Sequence, residues 1–470
     1  MKLKHTDIEI PKDDPFKNCK LNRFPYAEAL TSIVNTYSEG FVLTINNPWG
    51  TGKTTFIKMW QALLFQKKFT TLYFNAWEND FDANPQVALM SELGSLTNKK
   101  SDKTFKSLIQ KAAVLSNSIL PALVKAIATK YIDSEVLKEL IENSTQGATE
   151  ILKDEIDTYA KKKKGLIDFR IELQKYISEH NGGKPLILFI DELDRCRPDY
   201  AVELLEQIKH FFSVPGIVFV LSIDKVQLGN AVKGFYGSEH IDSNEYLRRF
   251  IDLEFSLPMP ETGIFVKYLF TYFGFQEFFD FPERKKFHEL SDDGESFLHF
   301  STLLFKQNSL SLRQQEKLFS NARMVLNTFS VNNFLFPSVY LMLIFVKDFH
   351  PKFYAKLLAR EALPQEILDD LVEIFPKQIN KSHKHSYLLT EVILIVLYNN
   401  YYNEKTFYSK LSDEDQNGKT KLLIKSVVDQ NPDGADFKRI LESFTSRNGA
   451  GSSLSHLLNK INLLDDFITK

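Results

Sequence analysis

Eight residues constrain this chain more than any other stretch: Asn47-Pro48-Trp49-Gly50-Thr51-Gly52-Lys53-Thr54, set between an apolar run, Phe41–Ile45, and a helical run, Thr55–Leu64. A glycine-bearing turn from the end of a buried strand to the start of a helix aims backbone N–H groups and the positive end of the helix dipole at one small volume. That volume suits a phosphate. Lys53 is placed to reach β- and γ-phosphate oxygens, Thr54 offers a hydroxyl to Mg²⁺, and Thr55 follows in the same turn. The usual pattern has glycine where Asn47 stands; asparagine tolerates positive φ better than most residues, so the turn is expected to form with Asn47 in that role. Asn47 to Thr55 are thus the candidate binding residues, for a nucleoside triphosphate and Mg²⁺.

A second motif belongs with the first. Leu186–Ile190 is an apolar strand followed by Asp191-Glu192-Leu193-Asp194-Arg195. An aspartate at the carboxyl edge of a buried strand, beside the loop, can hold the hydration shell of Mg²⁺, which assigns Asp191 to the metal. Glu192, one position on, is the candidate for orienting or deprotonating an attacking water. Asp194 and Arg195 stay open between a structural ion pair and, for Arg195, contact with a neighbouring subunit's nucleotide. At the end of the next strand Ser222 and Asp224 stand where a polar group could sense the γ-phosphate; a helix-capping role for Asp224 is equally admissible. Arg248, Arg249 and Arg313 are candidates for neutralising transition-state charge, with an ordinary surface role favoured for each.

Around these motifs the first 260 residues alternate strands with helices, the sign of a parallel sheet flanked by helices. The expected strands are Phe41–Ile45, Thr71–Phe74, Leu186–Ile190, Ile217–Ile223 and Phe250–Phe255. Between the second and third lies a long interval, residues 80–180, rich in Lys, Glu, Leu and Ala at helical spacing; its run Lys161–Lys164 is read as a solvated helix end in preference to a phosphate or lipid contact. Beyond Pro258 and Pro260 the chain is rich in Phe, Leu and Lys, without a strong strand run. Many of its 40 phenylalanines fall here, Phe275, Phe278, Phe279 and Phe281 among them, and a helical core packed with aromatics is preferred to an exposed partner surface. Gly449–Ser453 reads as a loop before a last helix, Leu454–Ile468.

Composition narrows the function classes. A formal charge of −2 and a pI near 6.6 provide no basic field for a phosphate backbone, and no nucleic-acid module is apparent. Ala112–Ala128 is interrupted by polar residues and Pro121, while Leu335–Val346 and Val392–Leu397 fall short of the roughly 20 apolar residues a span requires, so no transmembrane segment is expected. Cys19 and Cys196 belong to no metal-binding or disulfide pattern, which fits a reducing, cytoplasmic setting.

Assembled, these motifs resemble the KAP family of P-loop NTPases, within the wider group of signal-transduction ATPases that carry an acidic base beside the Walker B strand. The resemblance rests on the loop with Trp49 before Gly50, Tyr73-Phe74-Asn75-Ala76-Trp77, Asp191 to Cys196, Leu221 to Lys225, and Tyr246 to Phe250 leading to Leu257-Pro258. It spans residues 20–330. It implies an α/β fold, a three-layer P-loop NTPase sandwich with a parallel sheet, a helical insertion between the Walker motifs and a mostly helical C-terminal region. The expected division is a core over 1–260 with its insertion at 80–180, a helical extension over 261–345, and a C-terminal helical region over 346–470. Many members carry two membrane-spanning helices in the insertion, which this sequence lacks, and often two Asp where Asp191-Glu192 stands here. ATP is favoured over GTP by the resemblance alone. Bacterial members are implicated in excluding phage and other invading elements, others in signalling complexes.

The leading expectation is an ATPase whose nucleotide state rearranges the helical C-terminal half, through self-association or a protein partner. Its rival is a nucleotide-stabilised scaffold with negligible turnover. A nucleic-acid motor ranks last.

Overall fold

The computed structural model describes residues 8–81, 85–98, 101–114, 154–212, 214–376, 378–405, 409–414, 420–431, 433–446 and 451–468. Asp7–Met259 and Pro260–Lys470 form separate compact units.

In the first unit the apolar runs become β1 (Phe41–Asn46), β2 (Thr71–Asn75), β3 (Leu186–Asp191), β4 (Ile217–Ile223) and β5 (Leu253–Phe255). All pair in parallel, in the order β2-β3-β4-β1-β5. The two longest apolar runs, β3 and β4, lie inside the sheet and are buried at every position, as expected of strands covered on both faces. Alternate residues serve opposite faces. Leu43, Ile45, Ile187, Phe189, Val218 and Val220 pack with α1 (Phe24–Thr36) and α2 (Lys53–Gln66), where Trp60 is fully buried. Val42, Phe74, Leu188, Ile190, Phe219 and Leu221 belong to a second cluster with α3 (Pro85–Gly94), α4 (Asp102–Val114), α5 (Asp154–Ser178), α6 (Pro198–Phe212) and α7 (Lys225–Tyr236). The result is the three-layer sandwich the sequence implied.

Helices α3 to α5 fall within the expected insertion. Lys164 is exposed on α5; the side chains of Lys161–Lys163 lie outside the described residues, as does most of Ala112–Ala128. The fifth strand is shorter than expected. Phe250 closes a turn after the short helix α8 (Ser243–Arg248), its N–H donating to the Leu247 carbonyl, and the Asp252 carboxylate accepts the Val42 N–H (2.8 Å), a side chain replacing a ladder carbonyl.

The second unit is helical, from Thr262–Tyr272 to Ser455–Ile468, with one small antiparallel pair, Ser412–Glu414 with Thr420–Leu422, that the sequence did not suggest. Its aromatic core is real: Phe270, Phe275, Phe279 and Phe297 stack with ring centroids 4.9–6.5 Å apart, although Phe281 is 41% exposed. Leu335–Val346 and Val392–Leu397 are buried within this unit, and among the described residues no helix is long and apolar enough to cross a membrane.

One buried acid here makes stability depend on pH. Glu391, in the helix Lys381–Asn403, accepts hydrogen bonds from Ser426 Oγ (2.6 Å) and the Val427 N–H (2.7 Å), yet burial pushes its carboxyl up to about 7. A folded-state value raised this way contributes stability that is complete below the unfolded value and is lost as pH rises through about 7. Relative to Glu391→Gln, the wild type is expected to lose up to about 3 kcal/mol between roughly pH 5 and pH 8. Urea unfolding across that range checks this; parallel curves for the two proteins would acquit Glu391.

Candidate nucleotide site

Between β1 and α2 the chain turns through Gly50 and Gly52, whose φ values of 78° and 82° only glycine adopts without steric cost. Gly52 is the N-cap of α2 and, having no side chain, gives the first-turn N–H groups no side-chain cap. The loop's outward carbonyls are taken up by Arg23, which is 4% exposed: its Nη1 donates to Gly52 O (2.9 Å) and its Nη2 to Thr51 O (2.6 Å). Since C=O and N–H of one peptide point in opposite directions, that engagement turns the N–H groups of Gly52 and Lys53 to the other side. Arg23 escaped the sequence reading because an isolated arginine 28 residues before Thr51 carries no motif.

Asn47 has a different role from the expected one. It is absent from the non-glycine residues at positive φ among those described. Its side chain instead reads the backbone of Leu257: Nδ2 donates to Leu257 O (2.9 Å) and Oδ1 accepts from Leu257 N (2.8 Å), in a site where Asn47 is 7% exposed. The amide thus clasps the segment after β5 to the start of the phosphate loop. Restoring the usual glycine should therefore do harm. Asn47→Gly and Asn47→Ala each leave the Leu257 N–H and C=O buried without partners, at an expected cost of about 2–4 kcal/mol. Equilibrium unfolding decides it, and a neutral Asn47→Gly would revive the positive-φ account.

Lys53 opens α2 at 8% exposure, its ammonium donating to the carbonyls of Asn47 (2.5 Å) and Pro48 (3.3 Å). Burial lowers its pKa, opposed chiefly by Asp194, then Asp224 and Asp191. Thr54 and Thr55 follow, both half-buried. Because β4 lies between β1 and β3, Asp191 stands not on the strand next to the loop but one strand further; Ser222 pairs with both Ile45 and Asp191, a separation of roughly 10 Å across two strand spacings. Asp191 is 1% exposed and held by the Tyr73 phenol (3.0 Å) and the Glu192 N–H (3.0 Å). Burial and the Asp191 charge raise the Tyr73 phenol far above its ordinary range, so it stays a donor. The Ser222 hydroxyl, buried between the two strand ends, has no hydrogen-bond partner among the described residues.

Asp194 is the residue the sequence undervalued. It is 7% exposed, accepts the Trp49 indole N–H (2.5 Å), and burial raises its carboxyl against the pull of Trp49 and Lys53. Glu192 takes a left-handed conformation (φ 60°), and its carboxylate pairs with Arg195 Nη1 at 2.8 Å. The Arg195 guanidinium lies 5.9 Å from the Trp49 ring and 5.6 Å from the Trp77 ring. Asp224 caps α7, accepting from Val226 N (3.1 Å) and Gln227 N (3.3 Å), while its charge also bears on Lys53. Arg248 and Arg249 are exposed near the end of α8, with Arg248 pairing with Glu245 (3.2 Å); Arg313 belongs to the second unit, where it is exposed in the first turn of Leu312–Leu326.

Residues 23–351 match the family described as the KAP family P-loop domain. The chain belongs to the KAP family of P-loop NTPases. An uncharacterized protein of Methanocaldococcus jannaschii is 32% identical to this KAP protein over 177 residues, which cover 33% of the chain and 89% of that relative. Among solved structures, the ORC2 protein of Aeropyrum pernix in ADPNP–ADP complexes aligns at 13% identity and a TM-score of 0.31, covering 95% of each chain. The Drosophila ORC bound to DNA aligns at 12% identity and a TM-score of 0.26, covering 96% of this chain and 86% of that one. In the KAP protein Lys53, at the start of α2, feels the charges of Asp191, Asp194 and Asp224 at and just beyond the carboxyl ends of β3 and β4.

Proposed function

We propose that this KAP protein binds ATP with Mg²⁺, hydrolyses it, and uses the nucleotide state as a switch in signalling or in defence against phage and mobile elements. One observation carries the chemistry. The uncapped start of α2, opened by Gly50 and Gly52, brings Lys53 and Thr54 to the same strand-end region as Asp191 and Asp194. A triphosphate supplies the acceptors that the first-turn N–H groups lack, and Lys53 neutralises its β/γ oxygens. The Thr54 hydroxyl and Asp191 carboxylate would hold Mg²⁺, which supplies charge neutralisation at the phosphates when bound; shared with phosphates, such an ion needs only one or two protein oxygens. That fits a molecule in which, among the described residues, no group of three His, Cys, Asp or Glu side chains forms a cation cage. Glu192, adjacent to Asp191, takes the role of orienting and accepting the proton of the attacking water. The choice of ATP and the theme of defence rest on kinship with the family.

The alternative, a nucleotide-stabilised scaffold with negligible turnover, draws support from one contact: the Glu192 carboxylate is committed to Arg195. Phosphate release from the purified chain with Mg-ATP and Mg-GTP, run beside calorimetric binding, separates the two. Turnover with ATP sustains the ATPase reading; tight binding without turnover favours the scaffold; no binding to either overturns both.

A further inference from the structure

The pair that embarrasses the hydrolysis reading sits in a larger assembly spanning three loops. Trp77 belongs to a turn fixed from several sides: the Ala76 N–H donates to Asp191 O (2.9 Å), Asn79 Nδ2 to Asn75 O (2.8 Å), and Arg197 donates to Asp80 through its N–H (3.1 Å) and its Nη2 (2.7 Å). Arg195 rises beside this turn, in a short 3₁₀ turn after β3, with Glu192 at its start. Trp49, the second ring near the guanidinium, is mounted on the phosphate loop itself, between Pro48 and the left-handed Gly50, and is tied to the β3 side through its indole N–H on Asp194. Both rings are partly open, Trp49 at 44% and Trp77 at 51% exposure. A guanidinium within about 6 Å of two indole rings gains cation–π energy from each, so its position depends on both.

We propose that Arg195 is a positioning residue, a latch in cis that holds the Glu192 carboxylate against the Trp49–Trp77 platform and is released when phosphate binding moves the loop that carries Trp49. The inference rests on the ATPase reading and adds its regulation. Three physical points support it. A carboxylate paired to the Arg195 Nη1 at 2.8 Å by a charge-assisted hydrogen bond is held in that orientation and is not free to turn toward a water. The pair is partly screened from water, with side-chain exposures of 24% and 15%, so its attraction is not reduced to that of a surface pair. One of the two rings is mounted on the phosphate loop, whereas the other sits on the hydrogen-bonded turn after β2. An ordinary i,i+3 ion pair would have no such connection to the phosphate loop.

The test uses the full chain and two readouts. With Mg-ATP, Arg195→Ala is expected to raise kcat on the order of 10-fold with KM within a factor of about 3, a gain smaller than the roughly 10²–10⁴-fold that a general base contributes in full. Arg195→Lys keeps the charge but loses the planar stack, and should fall between. A fall in kcat, or no change, overturns the latch. The second readout does not need turnover. The chain has three tryptophans, and Trp60 is fully buried, so acrylamide quenching reports on Trp49 and Trp77, and the difference from a Trp49→Phe chain isolates the share of Trp49. A non-hydrolysable ATP analogue with Mg²⁺ should increase Trp49 quenching at least 2-fold when Arg195 is present and add little once it is alanine. Analogue that binds by calorimetry without changing the quenching overturns the latch. If analogue binds but wild type never turns over, the hydrolysis reading fails while the quenching comparison still judges the latch. Should Arg195→Ala not fold, Trp49→Phe replaces it: losing the indole N–H to Asp194 should also raise kcat, and a decrease counts against the proposal.

Discussion

Replacing Lys53 by methionine is expected to weaken ATP binding by about 100- to 1,000-fold while leaving the fold intact. The estimate follows from what the ammonium does. Charge-assisted hydrogen bonds contribute about 1.5–3 kcal/mol each, and a lysine reaching two phosphate oxygens supplies one or two of them. Each 1.4 kcal/mol is about a tenfold change in affinity. Methionine keeps the apolar stem that fills the 8%-exposed site and removes the charge together with its hydrogen bonds to the Asn47 and Pro48 carbonyls. The fold has reason to tolerate the change, since burial already lowers the Lys53 pKa. Loss of the ammonium does leave Asp194, Asp224 and Asp191 without their shared counter-charge, so a modest change in stability of either sign is expected. Calorimetric titration with ATPγS and Mg²⁺, alongside circular dichroism, checks both halves. Affinity within 3-fold of wild type would mean that Lys53 serves only the loop carbonyls of Asn47 and Pro48.

The strands were legible because β1, β3 and β4 are covered on both faces and so appear as apolar runs, interrupted only by Thr44 in β1 and Ser222 in β4 and ended by Asp191 in β3. Strand order was not, since local periodicity says nothing about which strands become neighbours; only the pairing of β4 with both β1 and β3 shows that Ser222 separates the loop from Asp191. Asn47 was misjudged for a related reason. Its local sequence suggests a turn residue, and the partner that defines its role, Leu257, is 210 residues away. Asp194 and Arg195 were left open because their partners, Trp49 and Trp77, come from two other loops. Asp224 was read in part: it caps α7 as its position before a helix suggests, while its charge on Lys53 is a tertiary effect that the local sequence does not show. Residues whose function is set by neighbours in sequence could be read; those set by tertiary contact could not.

Glu192→Gln is expected to reduce kcat for ATP by about 100-fold or more, with nucleotide affinity unchanged or slightly tighter. Glutamine preserves the size of the side chain and an oxygen that can still accept from Arg195, but it cannot take a proton from water. The 2.8 Å pair with Arg195 loses its ionic part, which for a partly exposed i,i+3 pair is worth about 1 kcal/mol or less, so stability should barely move. This separates the chemical role from a structural one, because a residue that merely anchors Arg195 would change stability more than rate. The comparison with Arg195→Ala is sharper still. Both substitutions abolish the same ion pair, yet one removes the proton acceptor and the other frees it, so their effects on kcat should have opposite signs. Single-turnover phosphate release with saturating Mg-ATP measures both without interference from product release. Equal losses in the two variants would mean that the pair itself is the working unit, with Arg195 holding Glu192 in its productive position, and a Glu192→Gln protein as fast as wild type would move the search for the water-activating group to Asp194.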